Sequence, residues 1–292
     1  MNITVLATIL IDGMILSGVY ALTALGFVII YRATGVFNFA QGELMMIGAY
    51  LFFLFTSGWD IPVVLAVLLA FAGLGVLAGG IYMLIIRPMT AQPLFAAIII
   101  TMGLAIVIRS AVGLIWGPGS HYPVKILQGQ FIDLGFYRLA WFDLVCIAVV
   151  GAAYGAVIAF LRYSPIGLEM RASAENPTLA SQRGINLNKV FALSWVLAGA
   201  SAAVAGAVIA SRTSINLDLA HLGISAFPAA LLGGLDSVGG ALIGALIVGF
   251  VQTAAAWQWG TETQDVVSAA ILLLVLMFRP YGLFGTRHIT RL

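Results

Sequence analysis

Stretches of mostly apolar residues, separated by short polar segments, run along the whole chain. A helix needs about 20 such residues to cross the hydrocarbon core of a bilayer. The pattern therefore predicts an all-α, polytopic transmembrane helix bundle of eight or nine spans, over residues 8–31, 41–55, 62–86, 94–114, 141–161, 190–210, 221–235, 239–257 and 266–278. The second, seventh and last spans are short, and the seventh is expected to be a broken or re-entrant helix.

Positive charge predicts the orientation, because Lys and Arg remain on the cytoplasmic side. With nine spans and the N-terminus outside, nine of the thirteen basic residues are cytoplasmic: Arg32, Arg87, Arg162, Arg171, Arg183, Lys189, Arg279, Arg287 and Arg291. The outer side then holds Arg109, Lys125, Arg138 and Arg212. If the seventh span is not a full crossing, the N-terminus is inside instead.

Three water-facing segments interrupt a single transmembrane domain that spans residues 1–292. We assign residues 116–139 to an outer loop, in which residues 130–134 are expected to form a short strand or hairpin. Residues 162–189 form a cytoplasmic loop with two short helices, interrupted at Asn176-Pro177 because the residue before a proline is driven out of helical geometry. Residues 279–292 form a cytoplasmic tail.

Composition supports the membrane assignment. The chain of 292 residues is 62% hydrophobic and 8% charged, with a mean hydropathy of +1.10, whereas a soluble domain carries about 25% charged residues. Its outer surface must therefore face lipid. The net charge of +2 is too small to indicate a nucleic-acid partner.

A few polar residues within or beside the apolar stretches are candidates for a translocation path or gate. They are Asn38, Gln41 and Glu43 at the start of the second span, Asp12 in the first span and Gln252 in the eighth. Ionisable residues in spans usually face the bundle interior or a wet cavity. Asn38 or Glu43 could instead cap a helix, Asp12 could bond to a neighbour or lie at the interface, and Gln252 could bridge helices.

Residues 26–50 resemble the membrane permease subunits of branched-chain amino acid ABC importers of the Liv type. The most specific part is Asn38-Phe39-Ala40-x-Gly42-Glu43. Similar agreement is found in Arg87-Pro88, in Thr101-Met102-Gly103 (where the family has Ile at the second position), in Gly167-x-x-Met170-Arg171-Ala172-x-Ala174-x-Asn176-x-x-Ala180-x-x-x-Gly184-Ile185 and in Arg279-Pro280-x-Gly282-Leu283-Phe284-Gly285. The resemblance extends over nearly the whole chain.

The resemblance implies an importer with divided tasks. A binding protein outside the membrane would deliver the substrate, this chain and a second permease subunit would form the path, and two cytoplasmic ATPase subunits would bind the ATP. The chain itself has no Gly-x-x-x-x-Gly-Lys-(Ser/Thr) motif and hence no P-loop, so we expect no bound cofactor. The expected location is the inner (plasma) membrane of a prokaryote.

The cytoplasmic loop is the expected contact with the ATPase subunits, since a short amphipathic helix in a groove can convert the closure of a partner into helix movement. The coupling residues are expected to be Gly167, Glu169, Met170, Arg171, Ala172, Ala174, Asn176 and Gly184.

Other functions stay open at this stage. Within the family, the substrate could be urea, a short amide or an aromatic acid. Outside it, the chain could be an ion-coupled secondary transporter or a channel, although acidic residues within the spans are scarce. A membrane-bound enzyme would need a polar catalytic cluster or ligands at metal-binding spacing, and the sequence offers neither.

Overall fold

A computed structural model of the chain describes residues 3–89, 93–123, 130–133, 135 and 138–285. Lys125, Arg287 and Arg291, which the charge pattern assigned to sides of the membrane, lie outside the described residues, as do parts of the predicted outer loop and tail. The helices are α1 (Ile3–Thr34), α2 (Gln41–Phe53), α3 (Val63–Ile81), α4 (Leu94–Trp116), α5 (Trp141–Tyr163), α6 (Pro165–Glu175), α7 (Pro177–Gln182), α8 (Leu187–Ala210), α9 (Leu219–Ile224), α10 (Phe227–Gly233), α11 (Val238–Trp259) and α12 (Thr263–Phe278).

Six helices in the described part of the chain are long and apolar enough to cross a membrane. They are α1, α3 with the irregular turns that extend it to Met89, α4, α5, α8 and α11. The segments Leu219–Gly233 and Thr263–Phe278 are apolar but shorter. Helix length thus bears out a helical membrane protein with several crossings, while the predicted number of eight or nine is not confirmed.

Helices α1 and α8 form the centre of the bundle. The apolar window of each is 83% buried, against 22% for the windows of α4 and α5. Helix α1 packs on α8 and α11, and α8 packs on α2 and α3. The small residues of α8 allow these close approaches, which is how helices associate in lipid. The outer helices expose long apolar side chains such as Ile106 and Leu114, as a surface in contact with lipid requires.

Helix α2 begins halfway up the bundle rather than at its edge. Its first residue, Gln41, bonds to the carbonyl of Ala198, which is the twelfth of the 24 residues of α8. The two helices then run in the same direction, with Gly48 against Ala203. The connection from α1 therefore enters the bundle as irregular chain that begins at Gly35, with φ of 69°, and ends in a turn at residues 39–40.

The seventh predicted span is a broken helix, as expected. Helix α9 ends at Ile224, and α10 starts at Phe227 with Pro228 in its first turn. A proline fits the first turn because the N–H groups there have no partner within the helix. The left-handed Gly234, with φ of 104°, ends α10, and Ser237 caps α11 through a bond from the amide of Gly240.

The two polar loops also have the predicted local structure. Strands β1 (Phe131–Asp133) and β2 (Arg138–Ala140) form an antiparallel hairpin in the outer loop. The cytoplasmic loop holds α6 and α7, which are separated at Asn176. Ser164 caps α6 and Asn176 caps α7, each accepting a bond from a backbone amide of the helix that follows. The break therefore comes from a cap followed by a proline.

Candidate functional site

The segment that leads into α2 is fixed by two buried amides. Asn38 accepts a hydrogen bond from the backbone amide of Ala40 (3.1 Å) and donates one to Oε1 of Gln41 (3.3 Å). Gln41 in turn donates to the carbonyl of Ala198 (3.3 Å). Both side chains are completely buried. Asn38 thus supplies a partner for the Ala40 amide, which lies before the first turn of α2, and Gln41 ties the start of α2 to α8.

Glu43 has a different environment, although it lies only two residues further on. Its side chain is 5% exposed, and its Oε2 atom has no hydrogen-bond partner among the described residues. Arg109 on α4 and His221 on α9 are close enough to interact electrostatically with this carboxylate. Glu43 therefore does not cap a neighbouring amide through Oε2, although its carboxyl group interacts with the backbone amide of Glu43 itself, and its role in the path stays a prediction.

Aromatic side chains cluster around the segment that leads into α2. Phe37 stacks on Tyr31 with ring centroids 4.8 Å apart, and Phe227 meets Phe37 edge-on at 5.7 Å. Phe227 also contacts Phe27 and Phe39. The cluster brings the break before α2 and the break between α9 and α10 into direct contact. The cluster therefore ties the two irregular segments to the last turns of α1.

The other two residues predicted for the path lie elsewhere. Asp12 forms an ion pair with Arg212 (2.7 Å), and Arg212 also contacts Asp143 (3.3 Å). These three residues join α1, α5 and the end of α8. Gln252 is completely buried and bonds to Tyr20 and to the carbonyl of Gln264, so that it connects α1, α11 and α12. Asp12 thus bonds to a neighbouring residue and Gln252 bridges helices, each an alternative that the sequence left open, while the role of both in the path stays a prediction.

Several residues of the predicted coupling set face their own chain. Gly167 packs against the carbonyls at the end of α5, where any side chain would collide, and Met170 is only 6% exposed. Arg171 donates through Nη1 to the carbonyls of Leu161 and Arg162, which are left free by the end of α5. Met170, Arg171 and Ala174 line a cavity of about 240 Å³ between α1, α5, α6 and the start of α11. They join the loop to the bundle.

The solvent-exposed face of α6 and α7, which points away from the bundle, carries a different set of residues. Glu169 and Ala172 are exposed on α6, and Asn176 and Gly184 lie at the cap and the end of α7. Beside them are apolar side chains that the sequence reading did not include in the coupling set, above all Leu168 (60% exposed) and Ile166. Leu179 on α7 is 57% exposed. Spacing on α6 could have found Ile166, which lies three residues before Glu169 on one helix face, but not Leu168, which is two residues from Ile166 and lies on another face.

Comparison with known proteins now adds to this geometry. Residues 9–276 match the family described as branched-chain amino acid transport system / permease component. The chain belongs to this permease family. A high-affinity branched-chain amino acid transport system permease protein, LivH, of Escherichia coli is 33% identical over 299 residues, which cover 96% of each chain. The corresponding protein BraD of Pseudomonas aeruginosa is 31% identical and covers 97% of this chain and 96% of its own length.

A solved structure supports the fold alone. It is that of PsaBC from Streptococcus pneumoniae in complex with Fab, with a TM-score of 0.52, 12% identity and 94% of both chains covered. The matched permease region includes the α2 entry, the broken α9–α10 segment and both helices of the cytoplasmic loop. The chain is a multi-pass membrane protein of the permease family, and the relatives named above are transport permeases rather than enzymes.

Proposed function

We propose that the chain is the transmembrane permease subunit of an ATP-driven ABC importer, which moves branched-chain amino acids or a similar small polar solute into the cytoplasm by alternating access. The observation that carries this proposal is the similarity to branched-chain amino acid permeases over nearly the full length of both chains. The described structure fits the role, because helix breaks meet at mid-height and a two-helix loop extends from one end.

In this proposal α2 and the α9–α10 pair cross the membrane together with the six long helices and α12, which gives nine crossings. The α2 helix reaches the outer side through the π-helical turn Leu54–Gly58. The N-terminus is then outside, and Arg32, Arg162 and Arg171 are cytoplasmic, in agreement with the excess of positive charge on that side.

The partners follow from the same assignment. Two cytoplasmic ATPase subunits would drive transport and contact the solvent-exposed faces of α6 and α7. A second permease subunit would complete the path. An extracytoplasmic binding protein would deliver the solute at the outer loop. The chain would lie in the inner membrane of a prokaryote, as an importer requires. Urea, short amides or aromatic acids remain alternative substrates, since the binding protein selects the solute.

Purification of the tagged chain from its native host tests this assignment. We expect a second permease subunit and an ATPase subunit to co-purify, and deletion of the chain to abolish uptake of radiolabelled L-leucine by whole cells. Recovery of the chain without any ATPase subunit, together with unchanged leucine uptake after its deletion, would contradict the proposal and favour a transporter that works alone.

A further inference from the structure

Glu43 is an acidic residue at mid-height of the bundle, and its burial needs an explanation. Its neighbour Gln41 is level with the middle of α8, and Oε2 of Glu43 has no partner among the described residues. An isolated carboxylate in a medium of low dielectric constant is strongly unfavourable unless another group compensates its charge. Intramembrane ionisable residues of this kind usually mark a substrate or ion pathway.

A donor of opposite charge lies close by but is not used by Glu43. Arg109 on α4 donates through Nη2 to the carbonyl of Leu217 (3.0 Å), just before α9, while its Nε atom is enclosed and has no partner in the described structure. Arg109 and Glu43 interact electrostatically without forming an ion pair. The acceptor Oε2 of Glu43 on α2 and the donor Nε of Arg109 on α4 thus both lack a hydrogen-bond partner among the described residues.

The surroundings of the two charges are apolar and tightly packed. Gly42 packs against the backbone of Gly223 and against both the backbone and the side chain of Ile224 on α9. The inner face of α4 next to Arg109 presents Leu104 and Ile108, both nearly buried. A solute that fits between α2, α4 and α9 should therefore carry opposite charges close together and an apolar remainder.

We propose that Glu43 and Arg109 form a binding subsite for an amino-acid zwitterion within the membrane. Oε2 of Glu43 would accept hydrogen bonds from the α-ammonium group, Arg109 would donate to the α-carboxylate, and the apolar side chain would lie along Leu104 and Ile108. Access to the site would require the short helix α9 to separate from α2 at Gly42. The inference rests on the proposed function as an amino-acid permease. It goes further by naming the place at which the permease itself recognises its solute.

Ligand-observed NMR on the intact permease–ATPase complex in nanodiscs, without the binding protein, tests the subsite. The probes are L-leucine, 3-methylbutylamine, which lacks the carboxylate, and 4-methylpentanoate, which lacks the amine. We expect Glu43→Gln to weaken L-leucine at least about tenfold, as the loss of a charged hydrogen bond implies, and to leave 4-methylpentanoate unchanged. Arg109→Gln should also weaken the binding of L-leucine but should leave the binding of 3-methylbutylamine unchanged. Glu262→Gln at an exposed position before α12 and Arg138→Gln in the outer hairpin are the matched controls.

Two results would overturn the subsite. One is that wild-type complex shows no saturable L-leucine signal although the same preparation accumulates leucine once binding protein and ATP are added. The other is that Glu43→Gln weakens all three probes equally and lowers the unfolding temperature, which is the behaviour of a packing residue. If wild-type vesicles supplied with every partner accumulate no leucine, the proposed function itself fails, so the two failures are distinguishable.

Discussion

The hydroxyl group of Tyr20 donates a hydrogen bond of 2.6 Å to Oε1 of Gln252, and both side chains are buried. Nε2 of Gln252 donates to the carbonyl of Gln264 on α12. One amide thus connects the first helix to the last two. Inside a membrane bundle no bulk water can replace such bonds, so this contact should help to fix the helix order.

Replacement of Gln252 by Leu should lower the free energy of unfolding by about 1 kcal/mol, because it leaves the Tyr20 hydroxyl buried without an acceptor. Thermal unfolding of the detergent-purified protein measures the change. Tyr20→Phe in the Gln252→Leu background should recover part of it. The control is Gln258→Leu on the exposed end of the same helix, and equal effects of the two Gln→Leu changes would contradict the bridging role.

Loss of Arg212 should be more harmful than loss of Asp12. The Asp143 side chain is 12% exposed, against 42% for Asp12, so Arg212→Gln leaves a nearly buried carboxylate without its ion pair. Asp12→Asn removes only a partly exposed pair, which is worth less than about 1 kcal/mol. Unfolding temperatures of the two variants decide the order. We expect Asp143→Asn to rescue Arg212→Gln, and the absence of any rescue would argue against this explanation.

Gly206→Ala should strongly destabilise the protein. A methyl group there would collide with the backbone of Met45 and Ala49 where α8 crosses α2, and backbone atoms cannot move aside cheaply. Gly155→Ala on α5 is the matched control, since its Cβ would meet open space and alanine has the higher helix propensity. Expression level and size-exclusion profile report the difference. A well-folded Gly206→Ala variant would show that the crossing is looser than described.

Leu168→Glu and Leu179→Glu should prevent assembly with the ATPase subunits while the permease still folds. Both side chains are more than half exposed on the cytoplasmic loop, so a charge placed there would disturb a partner more than the chain itself. Thr178→Glu, at an exposed polar position of α7, is the control. Co-purification of the ATPase measures the effect. Full recovery of the ATPase with both leucine variants would remove the loop surface from the interface.

Much of the architecture could be predicted because it depends on local patterns. Apolar stretches indicated the helices, and the Asn176-Pro177 pair indicated the break between α6 and α7. The short stretch 221–235 was rightly expected to be broken. The number of crossings could not be derived from length, because α2 starts halfway up the bundle, and only its contact with Ala198 reveals that depth.

Roles of single residues were harder to predict, since they depend on partners far away in sequence. Asp12 forms an ion pair with Arg212, two hundred positions further on, and no pattern in the sequence indicates this partner. Met170 and Arg171 looked like surface contacts, yet the first packs inward and the second bonds to the end of α5. Which face of a short helix packs on the bundle depends on tertiary contacts that periodicity alone does not identify.

The most direct test of the account is L-leucine uptake by proteoliposomes that contain this chain, its second permease subunit and the ATPase subunits, with binding protein on the outside. The account predicts that leucine accumulates above its external concentration, and that this accumulation requires both ATP inside and binding protein outside. The Leu168→Glu, Leu179→Glu double variant should lose the accumulation, and Thr178→Glu should keep it. Uptake that only equilibrates leucine across the membrane, or that proceeds equally well without ATP, would contradict it.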